Sequence, residues 1–249
     1  MSDKGRAALK LRLLAGGIVL SAVFVYGMPD CAAADLWGGS LALTSDYVVR
    51  GVSRSNDQAA LQLDVHYLNS SGFVAGLFAS NSRIDPGEPS DVEVDGFLGF
   101  AWAAGSDWRG RALLSHYAYP WNHVGSGYDY DELDVDVTYQ DWLKFGLVYS
   151  PDAPRFWPRR GLIGVTSEAA EIGVQRSVWR KLSANVGVGY SRFEGRYAAD
   201  YTYWSAGAAW DIAAVSLAIS YVDTTAGAKA LFYNAAAGGL WTGTVIWRF

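Results

Sequence analysis

The chain has 249 residues, of which 51% are hydrophobic, a formal net charge of −5 and a single cysteine, Cys31. An acidic balance excludes nucleic acid as a partner, and one cysteine excludes a disulfide framework or a CxxC metal site. Beyond the N-terminus no apolar run is long enough for a membrane helix, which excludes the helical membrane class as well.

At the N-terminus Lys4, Arg6, Lys10 and Arg12 precede the apolar stretch 13–28, and Ala32-Ala33-Ala34 supplies small residues where a signal peptidase reads them. Residues 1–34 therefore read as a cleaved signal peptide and 35–249 as one domain. The apolar run is shorter than the roughly 20 residues of a spanning helix. Cleavage after Ala34 removes Cys31, four basic residues and two acidic ones (Asp3 and Asp30), taking the net charge from −5 to −7.

From Trp37 onward residues alternate with period two. A first strand over 37–52 places Leu41, Leu43, Tyr47 and Val49 on one face and Asp46 and Arg50 on the other. Leu61, Leu63, Val65 and Tyr67 alternate with Gln62, Asp64 and His66, and Asn69-Ser70-Ser71-Gly72 turns the chain into Phe73, Ala75 and Leu77. The fourth strand, 92–104, sets Val92, Val94, Leu98 and Trp102 against Glu93 and Asp95. The fifth starts at Trp108 with Arg109 and Arg111 facing in, and stops before Pro120. The clearest hairpin is 131–150. Leu133, Val135, Val137 and Tyr139 alternate with Glu132, Asp134 and Asp136, and Leu143, Phe145, Leu147 and Tyr149 with Lys144 and Gly146. Residues 151–166 carry Pro151, Pro154 and Pro158 and are expected to form a long loop. Strands follow at 168–177, with Glu171 inward, and at 182–191, 201–210, 215–222 and 236–249, twelve in all.

Connections alternate between short (69–72, 104–107, 140–142, 178–180, 211–213) and long (83–90, 120–130, 151–166, 192–199, 223–235). Outward aromatics fall near strand ends: Tyr67, Phe73, Trp102, Trp108, Tyr139, Trp210 and Trp247 on the short-turn side, and Tyr47, Tyr149, Tyr190 and Tyr221 on the other. An apolar exterior between two aromatic girdles, with asymmetric connections, predicts an all-β, antiparallel up-and-down transmembrane barrel of about 12 strands in the outer membrane, its short turns periplasmic. Phe249 ends the outward row Val245, Trp247, Phe249, and a terminal aromatic of this kind resembles the signal read by the barrel-assembly machinery.

The segment LTSDYVVRGVSRSNDQAALQLDVHYLNSSGFVAGLFASN, residues 43–81, resembles the opening of the TorF-type porin family of proteobacterial outer-membrane proteins. The residues that carry it are Ser45-Asp46-Tyr47, Arg50-Gly51, Ser53, Ser55, Gln62, Ser71-Gly72, Gly76 and Ser80-Asn81. Three positions depart from the pattern: Val49 where an aromatic is usual, Arg54 where Gln is usual, and Ala59 where Pro is usual. The resemblance implies a pore-like role and supplies no catalytic or binding residues.

Outer-membrane lipid enzymes resemble a pattern with His and Ser two residues apart on one strand face. Here His66 is followed two on by Leu68, His116 by Ala118 and His123 by Gly125, while Ser115 and His116 are adjacent and so face opposite ways. No catalytic residue, metal or cofactor is expected; the cluster Asp129, Asp131, Asp134, Asp136 lacks the glycine and terminal Glu of a calcium loop. The inward charges carry the functional signal: Asp46, Asp64, Glu93, Asp95, Glu132, Asp134, Asp136 and Glu171 against Arg50, Arg109, Arg111 and Lys144. In one reading Arg109 and Arg111 bridge to Glu93, Asp95, Glu132 or Asp134 and fill the lumen; in the other the surplus acid makes a narrow, mildly cation-preferring channel. Arg155, Arg159 and Arg160 belong to a loop that binds lipopolysaccharide phosphates, folds into the lumen as a constriction, or is solvated. The sequence thus reads as a porin-like channel for small polar or charged solutes, with a non-conducting structural or adhesive barrel as the alternative and a lipid-modifying enzyme behind it. Outer-membrane lipid and lipopolysaccharide are the expected surroundings.

Overall fold

The alternation becomes a wall of long antiparallel strands in the computed structural model, which describes residues 35–83, 91–122, 125–157, 161–195, 199–232 and 237–249. The stretch read as a signal peptide, 1–34, lies outside the described residues. In chain order the strands are β1 (Leu36–Thr44), β2 (Val48–Val49), β3 (Val52–Ser53), β4 (Ala60–Leu68), β5 (Phe73–Ser82), β6 (Asp91–Ala104), β7 (Trp108–Ala118), β8 (Tyr130–Tyr139), β9 (Leu143–Trp157), β10 (Gly161–Trp179), β11 (Leu182–Phe193), β12 (Ala199–Ile212), β13 (Val215–Thr224) and β14 (Leu240–Arg248). A single-turn 3₁₀ helix spans Gly125–Tyr128, and a short helix α1 spans Ala226–Leu231. All but β2 and β3 form one closed barrel, in which β1 pairs with both β4 and β14. Closure gives each of these twelve strands a neighbour on both sides, the condition for a sheet to sit in hydrocarbon.

Side chains sort across this wall as period two requires. On β4, Leu61, Leu63 and Val65 are exposed outward while Gln62 and Asp64 are buried inward. Exposed Leu77, Leu98, Leu147, Val186 and Ile219 continue an apolar belt around the exterior, a continuous surface that water does not favour and lipid does. At the short-turn end Trp37 packs on Tyr67, Phe73 on Phe100, Trp108 on Tyr139 and Trp247 on Phe249. At the other end Tyr221 touches both Trp204 and Trp241, and Tyr149 and Tyr190 are exposed. The turn between β8 and β9 is tight because both Gln140 and Asp141 take positive φ, the left-handed pair whose twist matches that of the strands.

Three sequence expectations need correction. β1 ends at Thr44, well short of 52, because Asp46 accepts hydrogen bonds from Ser53 and Ser55 and so closes the chain into a loop. Arg50 and Gly51 then take positive φ and turn β2 back onto β3. Tyr47 accordingly belongs to the interior, 1% exposed, and not to the outer aromatic rim. The stretch 151–166 is largely sheet: β9 and β10 pair up to Trp157 and Gly161, with Pro151 and Pro154 inside β9. Pairing of β8 with β9 stops at Leu133 and Tyr149, so beyond that point β9 has a free side on which the missing proline N–H is not needed.

The seam between the two ends of the chain is closed by the Gly39 and Phe249 backbones, which exchange hydrogen bonds of 3.0 and 3.1 Å. A side chain on Gly39 would start 2.6 Å from the Asp64 carbonyl and 2.8 Å from the Phe249 ring, whereas one on Gly243 meets open space. Gly39→Val is therefore expected to reduce the folded fraction severely, read as loss of heat-modifiable gel mobility, and Gly243→Val to leave it near wild type. Equal folding of the two variants would show that the seam does not limit closure.

Candidate functional site

The connection between β1 and β4, residues 45–59, does not stay at the rim: it enters the lumen as a strap. Its base is the Asp46 carboxylate, held by Ser53 (2.6 Å) and Ser55 (2.8 Å), and the Tyr47 N–H donates to the Ser55 hydroxyl. Burial pushes the Asp46 carboxyl up, opposed by those two hydroxyls. From this base Arg50 spreads both terminal nitrogens onto Glu132 of β8, at 2.8 and 2.6 Å, and stands 3.9 Å from Asp134. A bidentate guanidinium–carboxylate pair fixes both distance and plane. Arg54 pairs with Glu93 of β6 at 3.2 Å and donates to the hydroxyls of Tyr119 (2.6 Å) and Tyr130 (2.8 Å).

Tyrosines surround these charges. The hydroxyls of Tyr47 and Tyr119 both donate to Glu93, and that of Tyr117 donates to Glu132 at 3.1 Å. Tyr117 and Tyr130 stack with centroids 4.3 Å apart. Burial pushes the hydroxyl of Tyr119, in the β7–β8 connection, well above its ordinary value. Farther along the strap Val52 bridges to Ala237 and joins an apolar cluster with Phe193, Tyr201, Tyr203 and Ala228 of α1. The strap thus reaches from the β6–β8 wall to the opposite one.

Among the described residues, burial is accordingly greater beside the strap than toward the short turns. Glu93, Asp95 and Glu132 are buried, while the side chains of Asp134, Lys144 and Arg109 are each at least 21% exposed. Of the candidates read from the sequence, Glu93, Asp95, Glu132 and Asp134 gather around the strap. Asp136, Arg111 and Lys144 form a second group below it, with Lys144 3.0 Å from Asp136. Arg111 meets Asp136 because the two face each other in register, and Arg109, opposite Thr138 near the turn, pairs with Asp141. The ion pairs of Arg109 and Arg111 with Asp141 and Asp136 are ones the sequence reading did not anticipate. Asp64 pairs with His66 at 2.8 Å, and Glu171, across the barrel, accepts from Tyr203.

Arg155 lies in β9 opposite Ile163, and Arg159 and Arg160 lie outside the described residues; the segment seen to cross the lumen is 45–59. Ser115 faces in and His116 faces out toward Asp131, so the two do not share a site. Among the described residues no group of His, Cys, Asp and Glu is arranged to hold a metal. Sequence reading missed Arg54, Tyr119, Tyr130 and Tyr203. The signal for Arg54 was present: a second arginine four residues after Arg50, across Gly51, which a short hairpin brings to the same wall.

A closed twelve-strand barrel with an apolar, girdled exterior, a charged interior and a strap across it defines a porin-like membrane barrel. The chain belongs to the family described as "Bacterial protein of unknown function (Gcw_chp)", which matches residues 32–247. Its fold is similar to that of the KdgM porin (TM-score 0.50, 9% identity, covering 85% of this chain and 99% of that one). It is also similar to the NanC porin (TM-score 0.51, 11% identity, 85% and 98%). A chain solved in work on in-meso crystallization of membrane proteins is similar too (TM-score 0.54, 10% identity, 85% and 83%). No curated protein matches the sequence.

Proposed function

We propose that this protein is an outer-membrane channel of TorF type for passive diffusion of small polar or charged solutes, with a mild preference for cations. The observation that carries the reading is the charged lumen interrupted by a strap held through polar contacts. A barrel that only scaffolds has no need to place Arg50, Glu132, Arg54 and Glu93 inside, since buried ion pairs are poor sources of stability. In this reading the short turns face the periplasm, export follows cleavage near residue 34, Phe249 engages the assembly machinery, and lipopolysaccharide surrounds the outer girdle. The strap packed across the lumen favours the second reading, a non-conducting structural barrel. Planar-bilayer conductance decides between the two, and absence of current across many insertions would overturn the channel.

Cation preference follows from the surplus of acid. The acidic groups Glu93, Asp95, Glu132 and Asp134 outnumber the guanidinium groups of Arg50 and Arg54, and in a narrow passage a carboxylate without a full partner acts more strongly than in bulk water. The reversal potential in a salt gradient is expected to have cationic sign and to shrink toward molar salt, where the Debye length is about 3 Å. Asp134→Asn should reduce it more than Asp136→Asn, because Asp136 already holds Arg111 and Lys144. A reversal potential of anionic sign would refute the preference.

A further inference from the structure

Building on the channel reading, we infer that the surroundings of Asp95 and Glu93 are a binding site for organic cations bearing a guanidinium group, which compete there with the strap's own Arg54. The first observation is the present occupant. Arg54 sits between a carboxylate, Glu93, and the hydroxyls of Tyr119 and Tyr130, with its guanidinium carbon 5.7 Å from the Tyr130 ring centroid. Carboxylate, phenol oxygens and an aromatic face together recognise a flat, weakly hydrated organic cation. The strap therefore occupies the pocket with a group of the same chemistry as the solute.

The second observation is independent of the first. Asp95 neighbours Glu93 on the inner face of β6, is 1% exposed, and neither of its carboxylate oxygens has a hydrogen-bond partner; the inward hydroxyl of Ser115 on β7 is also without one. Asp95 lies within the electrostatic reach of Glu93, Glu132 and Arg54. The site thus holds more carboxyl groups than arginines, and the unpartnered oxygens of Asp95 leave acceptors for a further donor. An organic cation fits better than a metal ion, because no set of ligands among the described residues is placed to hold a metal. The approach is from the short-turn side, where Asp134 is half-buried and Asp95 is not yet reached by solvent.

Displacing the Arg54 guanidinium loosens the strap, since that group ties it to Glu93, Tyr119 and Tyr130. Binding and strap release are therefore coupled, and the coupling is reciprocal. Calorimetric titration of the full-length protein in detergent tests this, with agmatine as probe and potassium chloride at matched ionic strength as control. Saturable agmatine binding is expected for the wild type. It should be about tenfold tighter in Arg54→Gln, which removes the resident competitor, and at least about tenfold weaker in Asp95→Asn. Heat-modifiable mobility verifies that each variant is folded, and if Arg54→Gln is not, the wild type and Asp95→Asn decide alone. No saturable binding, or binding unchanged by Asp95→Asn, overturns the site. Binding without conductance keeps the site and removes the channel reading, and conductance without binding does the reverse.

Discussion

Arg50→Ala is expected to release the strap. Glu132 is 2% exposed and takes both terminal nitrogens of Arg50, so removing the guanidinium leaves a buried carboxylate held only by the Tyr117 hydroxyl. Breaking a buried pair from one side costs about 3–5 kcal/mol, and each 1.4 kcal/mol or so is a factor of ten in population. The chain has a way to avoid that cost, because moving the strap out lets water reach Glu132 while the wall stays closed. The seated conformation should therefore lose at least about a hundredfold against the released one. Two readouts follow. Single-channel conductance rises several-fold, and trypsin cleaves after Arg54, which in the wild type is partly buried between Glu93 and two tyrosines. Unchanged conductance together with unchanged resistance at Arg54 would mean that packing of Tyr47 and Val52, and not the ion pair, holds the strap. Arg50→Ala with Glu132→Gln should be less damaging than the sum of the single changes, since residues in one contact do not add.

The wall of this barrel was legible because a membrane wall imposes the simplest pattern a sequence can carry. Lipid outside and polar groups inside force strict alternation, so β4, β5, β8 and the first part of β9 are read almost residue by residue, and the turn at Gln140 and Asp141 is marked by its polar residues between two alternating runs. What failed was any place where alternation has a second cause. Tyr47 and Val49 continue the period of β1, yet they are apolar because they pack inside the lumen against Phe78 and Ala60. Period two does not tell lipid from a packed interior. The prolines of β9 misled in the opposite sense, since the rule against proline in a sheet holds for strands with two neighbours and β9 has lost one there. Glu93, Asp95 and Glu132 turn inward from the wall strands as the alternation has them, but Asp46 belongs to the strap, and the partners of the acids differ from those expected. Register decides which cation meets which acid, and a strap that leaves the wall brings in cations, Arg50 and Arg54, that no register of the wall strands could predict.

Gly51→Val is expected to unseat the same strap without touching a charge. Gly51 holds φ at +79°, in the left-handed region, and a Cβ there would start 2.8 Å from the Tyr203 Cβ and closer still to Thr224. Those two contacts belong to β12 and β13, on the wall opposite the Arg50 and Arg54 anchors. A β-branched residue in that backbone conformation costs about 1–3 kcal/mol in strain alone. The clash adds to it, and Tyr203 has no room to yield because it is fully buried and its hydroxyl is committed to Glu171. The strap should therefore leave the lumen while the twelve wall strands keep their pairing, giving conductance and trypsin sensitivity like those of Arg50→Ala with heat-modifiable mobility unchanged. The comparison separates two ways of closing a pore. If Gly51→Val opens the channel and Arg50→Ala does not, closure rests on the fit of the strap's turn against β12 and β13. If the reverse holds, the ion pair alone holds it. Opening by both means that the strap is clamped from two walls at once, so that losing either clamp is enough. A Gly51→Val protein that stays closed and trypsin-resistant would show that the turn can shift within the lumen, and that the contact with Tyr203 and Thr224 does not position the strap.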